Sequence, residues 1–147
     1  MAVPHRIPIA HEPDYRTDTI GRHKAGYFYA AVHGAERDVD DLDEGFAWYA
    51  YVHRFDHDGR HEESTIRRIA LSRYLTDPQA ADRILATLLD QLDAPRFEDI
   101  AIQPFSLAYD GVRFGLIDES SADRGDWAEL YPDRLGFTHP WNGAYST

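Results

Sequence analysis

The sequence predicts an α+β fold: an antiparallel sheet of β-hairpins with one main amphipathic helix packed on one face. Three observations lead there. Aromatic and β-branched stretches come in pairs separated by turn-forming residues, one segment carries apolar residues at helical spacing, and the order runs strand pairs, helix, strand pair. The length of 147 residues suits a single domain over 1–147, large enough to bury roughly two-thirds of its unfolded surface.

Residues 1–16 contain Pro4, Pro8 and Pro13, so they read as an extended arm with Ile7 and Ile9 turned inward. Thr17–Gly21 and Tyr27–His33 form a first hairpin. The stretch from Gly34 to Glu44 crowds Glu36, Asp38, Asp40, Asp41, Asp43 and Glu44 together, and that density favours a solvated loop. Calcium could suit its oxygens, but the EF-hand spacing is absent. Gly45–Phe55, rich in aromatic residues on both faces, reads as a central strand. Asp56-His57-Asp58-Gly59 supplies the turn, and Arg60–Leu71 returns beside it.

Either Thr76 or Asp77 can cap a helix that Pro78 begins. Ala81, Ile84, Leu85, Leu88, Leu89 and Leu92 then recur at three-and-four spacing and form the face that packs on the sheet. Asp93-Ala94-Pro95 ends the helix. Phe105–Tyr109 and Val112–Ile117 form a further hairpin across Asp110-Gly111, and Ile100-Ala101-Ile102 leads into it. The segment 118–147 reads as irregular and aromatic, with a short helical turn near Trp127–Tyr131.

Apolar residues make up 43% of the chain and aromatics 13%, the profile of a globular protein. The formal net charge is −11, and the strongest basic patch is only Arg67-Arg68. Nucleic acid and anionic membranes, which both attract clustered cations, are therefore disfavoured as partners. Cysteine is absent, which excludes thiolate nucleophiles and Cys-based zinc sites. The N-terminus has no sustained apolar run, so a cytoplasmic location is expected. No Walker loop, Rossmann glycine pattern or nucleophile elbow is present.

Asp126-Trp127-Ala128-Glu129-Leu130-Tyr131-Pro132-Asp133-Arg134-Leu135-Gly136-Phe137 follows Tyr109-Asp110-Gly111-Val112-Arg113-Phe114-Gly115-Leu116-Ile117-Asp118-Glu119. With Val52-His53-Arg54-Phe55-Asp56, Asp58-Gly59 and Thr19-Ile20-Gly21-Arg22, this pattern resembles a group of small actinobacterial proteins labelled formate hydrogenlyase regulatory proteins. The resemblance spans most of the chain and implies a regulatory role. It brings no catalytic residues with it. Because no basic recognition helix is present to read DNA, regulation would run through protein contact.

Three constellations could carry function. His53, His57 and His61 lie near one hairpin with Asp56, Asp58, Glu62 and Glu63, but three ligands would have to converge from strand, turn and return strand. The reading favours solvent-facing His57 and His61, and no metal or cofactor is expected. Second, Tyr27, Tyr29 and His33 share one side of their strand, as do Tyr49, Tyr51 and His53. If those faces coincide they line either half-buried sheet surface or a pocket with His53 or His33 as general base and Tyr29 or Tyr51 orienting a substrate. Third, Asp118, Glu119, Asp126, Trp127, Glu129, Tyr131, Asp133, His139 and Trp141 form an acidic, aromatic set suited to docking a basic protein, although Trp127 and Trp141 could equally cap the core.

The leading expectation is a non-catalytic regulatory or protein-interaction role, toxin neutralisation being one form of it. The alternative is a small cofactor-independent enzyme acting on a neutral or cationic metabolite. Pairing of two subunits along the aromatic strand is a further expectation, giving a homodimer.

Overall fold

A computed structural model describes residues 3–147; Met1 and Ala2, the tip of the N-terminal arm, lie outside the described residues. All strand pairs are antiparallel. The main sheet has five strands in the order β5-β4-β3-β2-β6: β2 (Ile20–His23), β3 (Gly26–Glu36), β4 (Phe46–Phe55), β5 (His61–Ala70) and β6 (Arg96–Phe97). A second sheet of four runs β11-β10-β9-β8, formed by β8 (Phe105–Tyr109), β9 (Val112–Asp118), β10 (Ala128–Tyr131) and β11 (Leu135–Phe137). A short ribbon joins β1 (Ile7–Ile9) to β7 (Ile100–Ile102).

The helix α1 (Pro78–Leu89) begins where the sequence places it, with the Asp77 carboxylate accepting from the Ala80 N–H at 3.0 Å and Pro78 in the first turn. Leu88, with Leu92 just beyond the helix, packs with Phe28, Ala30, Ala50 and Val52 on one face of the main sheet, and Ile84, Leu85 and Leu89 lie against that cluster. Leu88 is 1% exposed. The substitution Leu88→Asp is expected to lower unfolding free energy by about 4 kcal/mol or more, because it deletes packing and buries a charge. Urea denaturation checks this; a loss below about 1 kcal/mol would contradict the packing described.

The sequence anticipates both main hairpins and the central place of β4. The β4–β5 turn is Asp56–Arg60, where Asp56 accepts from the Asp58 and Arg60 N–H groups and Gly59 takes φ +82°. A Cβ on Gly59 would also strike the Ala101 carbonyl oxygen.

Three expectations change. The single sheet is instead several, so the face of the main sheet opposite α1 is covered by the second sheet rather than open. The segment 118–147 is not irregular throughout: β10 pairs with β9 on one side and β11 on the other, replacing the anticipated helical turn. Strand pairing wins there because Ala128 and Leu130 enter the core while both edges of β10 find backbone partners. Finally, the aromatic strand β4 lies between β3 and β5 and offers no edge to a second subunit; the edges of the main sheet are β5 and β6.

The larger core sits between the two sheets. Tyr29, Tyr49, Tyr51 and Phe55 of the main sheet meet Phe114, Leu116, Leu130 and Phe137 of the second, while Ile7, Ile9, Ile100 and Ile102 close one end. Among the described residues no helix is long and apolar enough to cross a membrane.

Candidate functional site

The tyrosine and histidine faces coincide. Tyr29 stands opposite His53, Ala31 opposite Tyr51 and His33 opposite Tyr49 across β3 and β4. They form neither an open pocket nor half-buried surface, because the second sheet closes over them: Tyr29, Tyr49, Tyr51 and His53 are buried, and only His33 remains half-exposed.

Closing that face puts phenols and an imidazole into the core, and each needs a partner. Asp133, from the turn between β10 and β11, supplies one. Its carboxylate, 3% exposed, accepts from the Tyr29 hydroxyl at 2.9 Å through Oδ2 and from the Tyr51 hydroxyl through Oδ1. Burial first, and the adjacent carboxylate second, push both phenols well above the usual tyrosine range, so they stay protonated donors. Asp133, expected among the docking carboxylates, is thereby an internal acceptor.

His53 is held by Ser64 of β5, the residue opposite it in the register. His53 Nδ1 lies 2.6 Å from Ser64 Oγ, and His61 Nε2 lies 2.7 Å from the same oxygen. One hydroxyl donates once, so it serves one imidazole as donor and the other as acceptor. Among the described residues His53 Nε2 has no hydrogen-bond partner, and the imidazole packs against the rings of Tyr29, Tyr51, Phe105 and Phe114. Burial, with a smaller contribution from His61, lowers the His53 pKa from 6.5 to about 3. A fully buried imidazole with that affinity for protons is a poor general base near neutrality. His57 is exposed at the turn, and no group of three or more His, Asp or Glu among the described residues converges on a metal site.

The network reaches solvent at His33. Its Nε2 accepts from an Arg16 guanidinium nitrogen at 3.1 Å, which requires the ring hydrogen on Nδ1, where it is donated to the Gly34 carbonyl at 2.7 Å. Arg16 also donates to the Asp133 carbonyl. An open cleft of about 530 Å³ lies over these groups, with Tyr15, Leu85 and Val32 as apolar wall and Asp14, Asp18 and Asp82 as carboxylates. Both ring nitrogens of His33 already hold partners, which argues against a free base there. A third polar cluster centres on Asp110, which accepts from Tyr49 at 2.8 Å and Arg37 at 2.9 Å. Burial raises the Tyr49 pKa to about 12, with Asp110 adding to the effect.

The C-terminal docking set divides in two. Trp127 Nε1 donates to Glu129, Arg134 donates to the same carboxylate, and the Tyr131 hydroxyl donates to Glu119. Glu129 is 5% exposed; burial pushes its carboxyl up, but the bonds from Trp127 and Arg134 hold it below the usual range. Trp127 also lies against Gly136, where a Cβ would overlap its ring. These residues knit the second sheet together. Asp118 and His139 remain exposed and Asp126 and Trp141 half-exposed, with His139 Nε2 3.3 Å from Asp126 Oδ2 and its ring set edge-on to Trp141.

Sequence reasoning missed Arg16 and Ser64. Ser64 was discoverable only with the β4–β5 register in hand, while Arg16, on the arm, carried no local signal. Searches against family models, curated proteins and solved structures find no match to this chain.

Proposed function

We propose that the protein is a non-catalytic binding protein of regulatory or neutralising type that docks through an anionic surface onto a basic protein partner. The observation that supports this reading most is how unevenly the charges are engaged. Ten of the fifteen Lys and Arg side chains hold a partner within the chain, among them Arg16 with His33 and the Asp133 carbonyl, Arg37 and Arg68 with Asp110, Arg124 and Arg134 with Glu129, and Arg6 and Arg22 with Tyr27. Many carboxylates are left outward without an ion-pair partner among the described residues, including Asp14, Asp18, Asp40, Asp43, Glu44 and Asp82. The net charge of −11 is therefore presented to solvent, and such a field steers and holds a cationic surface.

Exposed Tyr15 beside the cleft, and Trp141 beside Asp126 and His139, supply aromatic side chains next to those acids. The candidate catalytic groups, in contrast, are either buried or already hydrogen-bonded. The test is a pull-down from cytosol with tagged protein, eluted by a salt gradient. A stoichiometric basic protein released by modest salt is expected, with Asp126→Asn combined with Trp141→Ala, or Tyr15→Ala, weakening its retention. Capture of a small molecule without any protein would instead favour the enzyme reading.

A further inference from the structure

We propose that two copies of this chain pair antiparallel along β5, with Thr65 facing Thr65 across a two-fold axis, to form one continuous sheet. This inference stands apart from the docking surface and does not depend on it. Among the described residues strand β5, ten residues long, pairs as a strand only with β4. The backbone groups that alternate along its other side therefore point outward, as on any edge strand.

Edges of this length are ordinarily protected by charges that repel a second copy. Here the charges are ordered so that they attract one. The strand contains Glu62-Glu63-Ser64-Thr65-Ile66-Arg67-Arg68. Antiparallel pairing about Thr65 sets Glu63 against Arg67 of the other copy, and Arg67 against its Glu63. Between the two register shifts in the β4–β5 ladder, residues 63–68 form the regular run, and Thr65 lies near its middle.

The faces also agree. Glu63 stands opposite Arg54 and Arg67 opposite Ala50, which place both on the α1 side of the sheet. Glu63 is bound to Arg54 within the chain, so the row across the junction would read Arg54, Glu63, Arg67, alternating in sign. Arg67 is exposed and has no ion-pair partner among the described residues, whereas Arg68 is held by Asp110. Sliding the dyad to Glu63 or to Arg67 would put like charges face to face, and of the registers near it the one centred on Thr65 alone opposes Glu63 to Arg67 and Glu62 to Arg68. Half-exposed Thr65 and Ile66 would be covered in it.

The chain lacks cysteine, which makes a crosslink diagnostic. In the proposed register T65C places two sulfur-bearing carbons about 5 Å apart, within disulfide reach. R67C places them about 13 Å apart, four residues out of register. Oxidised T65C is expected to become a covalent dimer and R67C is not. In sedimentation equilibrium the native chain is expected to dimerise, and R67E or E63R should each weaken association about tenfold or more by creating like-charge pairs. An equimolar mixture of R67E and E63R should recover association, since each new charge then faces its opposite. A native chain that stays monomeric, a dimer untouched by either charge reversal, or T65C that crosslinks no better than R67C would each overturn the pairing.

Discussion

Between about pH 6.5 and pH 3 the folded protein is expected to lose up to about 5 kcal/mol of stability through His53 alone. The sign follows from burial. Above pH 6.5 the imidazole is neutral in both the folded and the unfolded chain, and its contribution does not change with pH. Below that value the unfolded chain binds a proton that the folded chain refuses until about pH 3, so each pH unit removes about 1.4 kcal/mol. His61 and His23 are lowered for the same first reason, burial, and add slope of the same sign. His53→Phe keeps the aromatic packing and removes the proton acceptor. Urea midpoints across this pH range should give a shallower curve for the variant than for the native protein, and the difference between the two curves isolates His53. Parallel curves would mean that the ring is hydrated in the folded state.

Asp133→Ala is expected to cost about 3–5 kcal/mol, because it leaves the Tyr29 and Tyr51 hydroxyls buried with no acceptor. The loss should be largely relieved when those hydroxyls are removed as well, in the combination Tyr29→Phe, Tyr51→Phe and Asp133→Ala, since replacing all partners of a buried bond is far less costly than orphaning one side. Denaturation of the native chain, Asp133→Ala, Tyr29→Phe with Tyr51→Phe, and the triple variant completes a thermodynamic cycle. Additive losses would show that the three residues do not act as one network. A change confined to partner retention, with stability untouched, would return Asp133 to the docking surface.

How much of this was visible beforehand depends on the distance over which each feature is decided. The helix start at Pro78 could be read because capping by Thr76 or Asp77 and a proline in the first turn are local requirements, and the structure selects Asp77 as the cap. The β4–β5 hairpin was equally legible, since Asp56 and Gly59 satisfy the turn by themselves. The shared faces of Tyr29, Tyr51 and His53 follow from alternation along strands, a period of two that any reader of the chain can count.

What covered that face was not legible. Asp133 reaches Tyr29 from 104 residues away, and Arg16 joins His33 to the Asp133 carbonyl across a similar gap. No local pattern distinguishes a carboxylate destined for the core from one destined for water, and the acidic, aromatic composition of 126–141 pointed to a surface. The sequence by itself determined the strand alternation, the helix and its apolar stripe, the turns and the anionic balance, because these are set by neighbours within a few residues. Only the tertiary structure decided that β10 and β11 extend a second sheet, that this sheet seals the tyrosines and His53 from solvent, and which carboxylates stay outside. Those outcomes depend on burying two sheet faces against each other and then finding partners for the polar groups trapped between them.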